Sequence, residues 1–222
     1  MKIGIIGISG RMGKVLSEIT PKDELIGGSR RATSDEELEE IVEKSDALID
    51  FSTPAAALKA MSVAARQKTP VVTGTTGFSK EEFERTREFS QAIPILRASN
   101  FSLGVNLMAV LAKKCASVLP DFDFCIIDKH HRGKKDAPSG TALFLAEQAS
   151  QKAQIVSLRE GGVFGEHICD FAGENEELSI CHRAFNRKIF ADGALKCARW
   201  IVGKSPKLYS MQDYLEDMKC LG

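Results

Sequence analysis

Residues 128–142 read DKHHRGKKDAPSGTA, with two histidines, an arginine and two lysines between positions 130 and 135. Histidine is the side chain best suited to deliver a proton near neutral pH. His130 and His131 are adjacent, so in an extended chain they point to opposite sides. That is poor geometry for a shared metal ion, and no third ligand is close in sequence, so zinc is disfavoured. Lys134 follows four residues on, in a glycine-containing loop. Pro138 can occupy the first turn of a helix beginning near Ser139 or Gly140. Ser139, Gly140 and Thr141 would then offer hydroxyls and unpaired N–H groups at a helix start, a ready site for a carboxylate. The combination suits a small molecule bearing carboxylates; the bland alternative is a solvated basic loop.

A second constellation sits at the amino end. Gly7, Ile8, Ser9, Gly10, Arg11, Met12 and Gly13 follow an apolar run and precede a helix-period stretch. A glycine turn between strand and helix lets a pyrophosphate approach backbone N–H groups at the positive end of the helix. Arg11 can add charge beside the phosphates. An NAD site usually carries Asp or Glu at the end of the second strand to hold the ribose diol. Here that place reads Gly28-Ser29-Arg30-Arg31, and guanidinium groups suit a 2′-phosphate. NADPH is therefore the expected cofactor, with NADH possible; the alternative is that both arginines are solvated. Two later turns, Asp50-Phe51-Ser52-Thr53 and Thr73-Gly74-Thr75-Thr76-Gly77, fit the same cofactor edge.

The elements that must position these groups follow from periodicity. Strands are expected over residues 2–6, 25–27, 47–51, 70–73 and 93–96, alternating with helices to about 19, over 34–44 with a Ser34/Glu37 capping box, and over 54–67 and 79–90. This alternation predicts a doubly wound parallel sheet. Beyond residue 100 the rhythm changes: a helix over 103–119, a strand over 122–127, a helix over 140–152, antiparallel strands over 167–171 and 178–182, then helices over 190–202 and 211–218. The expected fold is α/β, with an α+β second region at 102–187 and a first domain of 1–101 completed by 188–222. His167 and His182, each among core-facing neighbours, read as structural histidines.

Composition limits the remaining choices. The 222 residues carry 30 Lys+Arg against 30 Asp+Glu, a formal net charge of zero. That argues against a general nucleic-acid or membrane-surface binder. The amino-terminal apolar run is too short for a signal peptide, and no stretch approaches the roughly 20 apolar residues of a membrane span. The six cysteines form no C-x-x-C pair and read as reduced thiols of a cytoplasmic protein.

Taken in order, GISGRMG at 7–13, DFS at 50–52, GTTG at 74–77, ASNFSLGVN at 98–106, HHRGKKDAPSGTA at 130–142, REGGVFGEH at 159–167 and FADGAL at 190–195 resemble the 4-hydroxy-tetrahydrodipicolinate reductase (dihydrodipicolinate reductase) family over nearly the whole chain. The resemblance implies a Rossmann-type amino-terminal domain and a mixed-sheet domain for substrate and homotetramer assembly. It implies NAD(P)H-dependent reduction of 4-hydroxy-tetrahydrodipicolinate to tetrahydrodipicolinate in lysine and diaminopimelate biosynthesis. By the same resemblance His130 is the acid–base histidine and Lys134 the catalytic lysine. His131, Ser139, Gly140 and Thr141 are substrate-carboxylate contacts. Gly7 to Met12, Gly74 to Thr76, and Ala98, Ser99, Asn100 and Phe101 form the cofactor site. The chain departs from many relatives in its shorter length, in Asp128-Lys129 where they carry Glu-Ala, and in lacking the acid for the adenine ribose. The alternatives are another NAD(P)-dependent small amino-acid or semialdehyde dehydrogenase of similar architecture, and a dinucleotide sensor without turnover.

Overall fold

Strands buried on both faces must be apolar throughout, and the first strand, β1 (Ile3–Ile6), is buried at every residue. The computed structural model describes residues 1–218; Cys220, one of the expected thiols, lies outside them. After β1 come α1 (Arg11–Ile19), β2 (Leu25–Ser29), α2 (Asp35–Glu43), β3 (Ala47–Asp50), α3 (Pro54–Gln67), β4 (Val71–Thr73), α4 (Lys80–Ser90) and β5 (Pro94–Arg97). The chain continues through α5 (Leu103–Val118), β6 (Asp123–His130), α6 (Gly140–Ala149), β7 (Ala153–Arg159), β8 (Gly165–Ala172) and β9 (Glu177–Ala184). It ends with α7 (Lys188–Ile201), β10 (Lys207–Tyr209) and α8 (Met211–Asp217). Two compact units result, one of Met1–Phe101 with the segment from Arg187 onward, the other of Ser102–Asn186.

The first unit is a six-stranded parallel sheet in the order β10-β5-β4-β3-β1-β2, the doubly wound arrangement expected. Helix starts are set locally. Ser34/Glu37 and Ser79/Glu82 are capping boxes, while Thr53 caps α3 with Pro54 in its first turn. The small residues Ala57, Ala60 and Ala64 of α3 are fully buried or nearly so. α7 lies against α1, β3 and β4. Gly193 permits its approach to Phe101, since a Cβ there would stand 1.8 Å from the Phe101 carbonyl oxygen.

The second unit is a four-stranded mixed sheet, β7-β6-β8-β9, with only β6 and β7 parallel. Its core joins Met108 and Ala112 of α5 and Ala142 and Leu145 of α6 to one face of the sheet, where the rings of Phe124 and Phe171 stack 4.5 Å apart. Among the described residues the core of this unit lies on the α5 and α6 side of the sheet alone, and the opposite face is the more exposed one. There Val156, Ile127, Ile168 and Cys181 form one row across all four strands.

Two strands lie where the sequence pattern gave none. β10 is only three residues long. β7 reverses the usual sidedness: Ser157 and Arg159 face inward while Val156 and Leu158 are exposed. The helix expected over 140–152 stops at Ala149, because Ser150 turns left-handed with φ 56°. The strand expected over 122–127 runs on to His130, which places Asp128 and His130 two residues apart on one face.

Candidate functional site

In the first unit the glycine turn sits at the carboxyl edge of the sheet. Gly7 takes φ +83° and its carbonyl accepts from Gly10 N–H at 2.9 Å. A Cβ at Gly13 would lie 2.2 Å from that same carbonyl oxygen, so only glycine lets α1 begin this close to the turn. α1 has no side-chain cap. In α2 to α6, by contrast, a Ser or Thr hydroxyl accepts from one N–H of the first turn.

Three of the expected cofactor turns meet at Phe51. Its carbonyl oxygen would be 2.8 Å from a Cβ at Gly7, its ring 2.2 Å from a Cβ at Gly74, and its ring centroid lies 5.6 Å from that of Phe101. The buried Asp50 carboxylate organises this edge. It accepts from Ser52 N–H at 3.1 Å, from Thr73 Oγ1 at 2.6 Å and from Ser52 Oγ. Thr75 Oγ1 in turn accepts from Ser52 N–H at 2.9 Å. With only neutral donors around it, burial pushes the Asp50 carboxyl up. Beside these turns a cavity is lined by Gly7, Ser9, Gly10, Ser29, Arg30, Arg31, Thr33, Phe51, Thr53 and Lys59, among others, and by no carboxylate. Lys59, paired with Asp35, was not singled out in the sequence, because the contact depends on how α3 packs. Ile8, Arg11, Met12, Gly74, Thr75, Thr76, Ala98, Ser99, Asn100 and Phe101 are outside that lining; Arg11 is exposed on α1.

In the second unit the basic segment is built around Asp128, which is 0% exposed. One oxygen, Oδ2, accepts from Ser139 N–H at 2.9 Å, Ser157 Oγ at 3.1 Å and Arg159 Nη2 at 2.9 Å. Oδ1 stands 3.3 Å from His130 Nε2 and 3.3 Å from His167 Nε2. Burial pushes the Asp128 carboxyl up, but hydrogen bonds from Ser139 and Arg159 outweigh it and hold the group far below the usual carboxylate range. Arg159 also donates to the Asp136 carbonyl at 2.7 Å, tethering the loop. Its guanidinium already supplies the carboxylate's counter-charge, so Asp128, His130 and His167 read as a proton-holding set and not as metal ligands.

His130 is largely buried, and its Nδ1 lies 2.9 Å from the Phe164 carbonyl oxygen. Burial takes its proton affinity below the ordinary imidazole value, although the Phe164 carbonyl and Asp128 oppose it. His131 is exposed, as its adjacency requires. Lys134 is half-buried and pairs with Asp136 at 2.8 Å. Pro138 does not enter the helix: α6 starts at Gly140, with Ser139 as the N-cap. Nor does Ser139 present its polar groups outward. It is buried, its N–H goes to Asp128, and its Oγ accepts from Ala142 N–H and contacts His167 Nε2 at 3.2 Å. Gly140 is exposed, with room for a Cβ and nothing within 4 Å of it, and Thr141 follows in the first turn.

His167 and His182 are strand residues, as expected, but they are not satisfied ones. The Nδ1 atoms of both are buried without a hydrogen-bond partner among the described residues. The register places Ser157, Asp128, His167 and His182 in one row across the four strands. His167 meets His130 edge-on at 5.2 Å. Burial, then His130, pushes His167 down to about 4. Asp128, Arg159 and His167 therefore belong to the site, although sequence reading gave none of them a role. The available signal was the two-residue spacing of Asp128 and His130 on a strand.

Residues 1–101 match the family model described as Dihydrodipicolinate reductase, N-terminus, and residues 104–215 that described as Dihydrodipicolinate reductase, C-terminus. A curated relative from Caldanaerobacter subterraneus subsp. tengcongensis, named 4-hydroxy-tetrahydrodipicolinate reductase, is 38% identical over 97% of this chain and 98% of its own. One of the same name from Rickettsia bellii is 37% identical over 98% and 96%. A solved structure of dipicolinate-bound dihydrodipicolinate reductase from Paenisporosarcina sp. TG-14 has a TM-score of 0.81 over 95% of this chain and 97% of that one. Its identity is 22%, which speaks to fold alone.

The depressed His167 has a consequence for stability. Unfolded, it binds a proton below its ordinary value of 6.5; folded, only near 4. Between these values the unfolded chain holds the extra proton, so stability falls as pH is lowered through this window, by up to about 3 kcal/mol. Urea denaturation at pH 7 and pH 5 checks this: His167→Gln should lose less stability on acidification than the parent chain. An equal loss in both would remove His167 as the cause.

Proposed function

The chain belongs to the dihydrodipicolinate reductase family, and we propose that it carries out the NAD(P)H-dependent reduction of 4-hydroxy-tetrahydrodipicolinate to tetrahydrodipicolinate, a step of lysine and diaminopimelate biosynthesis. The observation that carries the reading is the buried acid–base set of β6 in a segment that also holds Lys134 and the open start of α6. The uncapped start of α1 and the glycines at positions 7, 13 and 74, where a Cβ would collide, fit a dinucleotide whose backbone-bound pyrophosphate needs close approach.

When bound, the reduced nicotinamide would supply hydride to the ring carbon whose hydroxyl leaves as water. The chain's own groups do the rest. Gly7 to Met12 hold the phosphates; Phe51, Gly74 to Thr76 and Ala98 to Phe101 form the edge toward the nicotinamide. N–H groups of Gly140 and Thr141, with His131, receive substrate carboxylate. Ser139 supports them from behind as the N-cap. Lys134 offsets the dicarboxylate charge and polarises the ring, and His130 delivers the proton that completes reduction.

NADPH is the preferred cofactor. In support, Arg30, Arg31 and Lys59 line the cavity next to the glycine turn and no carboxylate does. The uncovered sheet face of the second unit supports assembly into a homotetramer. Val156 and Leu158 are 38% and 41% exposed there, beside the half-buried Ile127 and Ile168. Cytoplasmic placement agrees with five free cysteines among the described residues and with no described helix long and apolar enough to cross a membrane.

His130→Gln should lower kcat by about 10²–10⁴-fold, the usual worth of a general acid, while NADPH affinity by calorimetry stays near that of the parent chain. Full turnover in that variant would take His130 out of the reaction. Arg30→Ala combined with Lys59→Ala should raise KM for NADPH roughly tenfold, the loss of about 1.4 kcal/mol of phosphate contact, and leave KM for NADH unchanged; equal effects on both would refute the 2′-phosphate assignment. Sedimentation of the purified chain tests the tetramer, and cell fractionation the compartment.

A further inference from the structure

Three nitrogen and oxygen atoms converge where a single proton must decide between them. Asp128 Oδ2 is saturated by Ser139 N–H, Ser157 Oγ and Arg159, so the negative charge left to satisfy faces inward on Oδ1. Two imidazole Nε2 atoms stand 3.3 Å from that oxygen, one from His130 and one from His167. The backbone fixes which tautomer His130 adopts. A carbonyl oxygen can only accept, so the 2.9 Å contact between Phe164 O and His130 Nδ1 requires the proton on Nδ1. A neutral His130 therefore turns a bare Nε2 lone pair toward a carboxylate oxygen. Both atoms are buried and lack a hydrogen-bond partner among the described residues, an arrangement that burial makes costly. Adding one proton to His130 Nε2 converts the clash into a charge-assisted pair.

We propose that Asp128 is a positioning residue for His130: its inward oxygen fixes the ring against the Phe164 carbonyl and draws a proton onto Nε2, with His167 as the competing ring on the same oxygen. Every charged or titratable neighbour enters this balance. Asp128 lies on the same strand, Arg159 on β7 and Lys134 in the loop; the latter two oppose the proton. His167 on β8 stays neutral above about 4, and His182 lies beyond it on β9. Burial leaves His130 with a proton affinity below the ordinary imidazole's, and the inward oxygen of Asp128 works against that loss; the same carboxylate accounts for the polar residues on the inner face of β7. Ser157 and Arg159 hold the carboxylate ionised so that it can act on His130.

The inference rests on His130 being the proton donor, and its tests separate the two claims. In Asp128→Asn, kcat near neutral pH should fall at least about tenfold, one pKa unit of lost proton occupancy, with KM for NADPH unchanged. The alkaline limb of the kcat profile should move to lower pH by about one unit or more, because a general acid that binds its proton more weakly loses it sooner. Asp128→Glu should restore most of the loss. Asp128→Asn added to His130→Gln should slow the enzyme far less than it slows the parent chain, since the part of its effect that runs through the ring is already lost. Additive losses, or an unmoved pH limb, would reduce Asp128 to a structural role. Should Asp128→Asn fail to fold, nitrogen NMR of the imidazoles in the unaltered chain decides: neutral His130 must be the Nδ1–H tautomer and must charge at Nε2. A neutral Nε2–H ring would overturn the proposal whatever His130 does in catalysis.

Discussion

A carboxylate removed from water is tolerated only when its charge is met by well-placed donors, and the second unit is arranged around one such group. Asp128 draws donors from three directions: the cap of α6, the hydroxyl of Ser157 and the guanidinium of Arg159. These contacts dictate the geometry of everything that carries chemistry nearby. The start of α6 is pinned to β6 through Ser139, and the basic loop is pinned to β7 through Arg159 and the Asp136 carbonyl. His130 and His167 meet at the remaining oxygen. The carboxyl end of the loop is thus held by the group that conditions the histidine at its start, directly at Ser139 and through Arg159 at Asp136.

The first unit contains a counterpart with the opposite charge behaviour. Asp50, like Asp128, is 0% exposed near the carboxyl end of a central strand, and it too gathers hydroxyls from neighbouring turns. Its donors are all neutral, and burial raises its proton affinity. Asp128 has the guanidinium of Arg159 and moves the other way. The same side chain, closed to solvent in both units, serves as a structural knot in one and as an ionised anchor in the other; Asp128 is less heavily buried and has, beside Ser139, the guanidinium that Asp50 lacks.

How much of this was legible in the sequence depends on the range of each interaction. The doubly wound sheet follows from apolar runs and glycine turns, which are local signals, and so does the Ser34 cap. His130, Lys134 and the helix start are readable because they are neighbours in one segment. Asp128 was readable only as a position, since its partners arrive from residues 139, 157, 159 and 167 through strand register. β7 was hidden for a related reason. Its inner face is polar because it answers Asp128, and its outer face is apolar, so the alternation that marks a strand points the wrong way. His167 reads as an ordinary core histidine until the β6–β8 register sets it opposite Asp128. The short β10 has too few residues to announce itself, and Lys59 reaches its cavity only through helix packing.

The contact between Gly193 and Phe101 has a bearing on how the chain is threaded. Phe101 is the last residue before the inserted segment and α7 the first element after it, so packing one on the other cinches the excursion at its base. Once the parallel sheet has formed, residues 102–186 are no longer a free tail but a ring whose ends already meet. The entropy of bringing distant strands together is correspondingly smaller. Because that penalty grows only logarithmically with ring size, lengthening or shortening the excursion hardly disturbs the sheet beneath it. A chain more compact than its cousins can therefore keep the same scaffold.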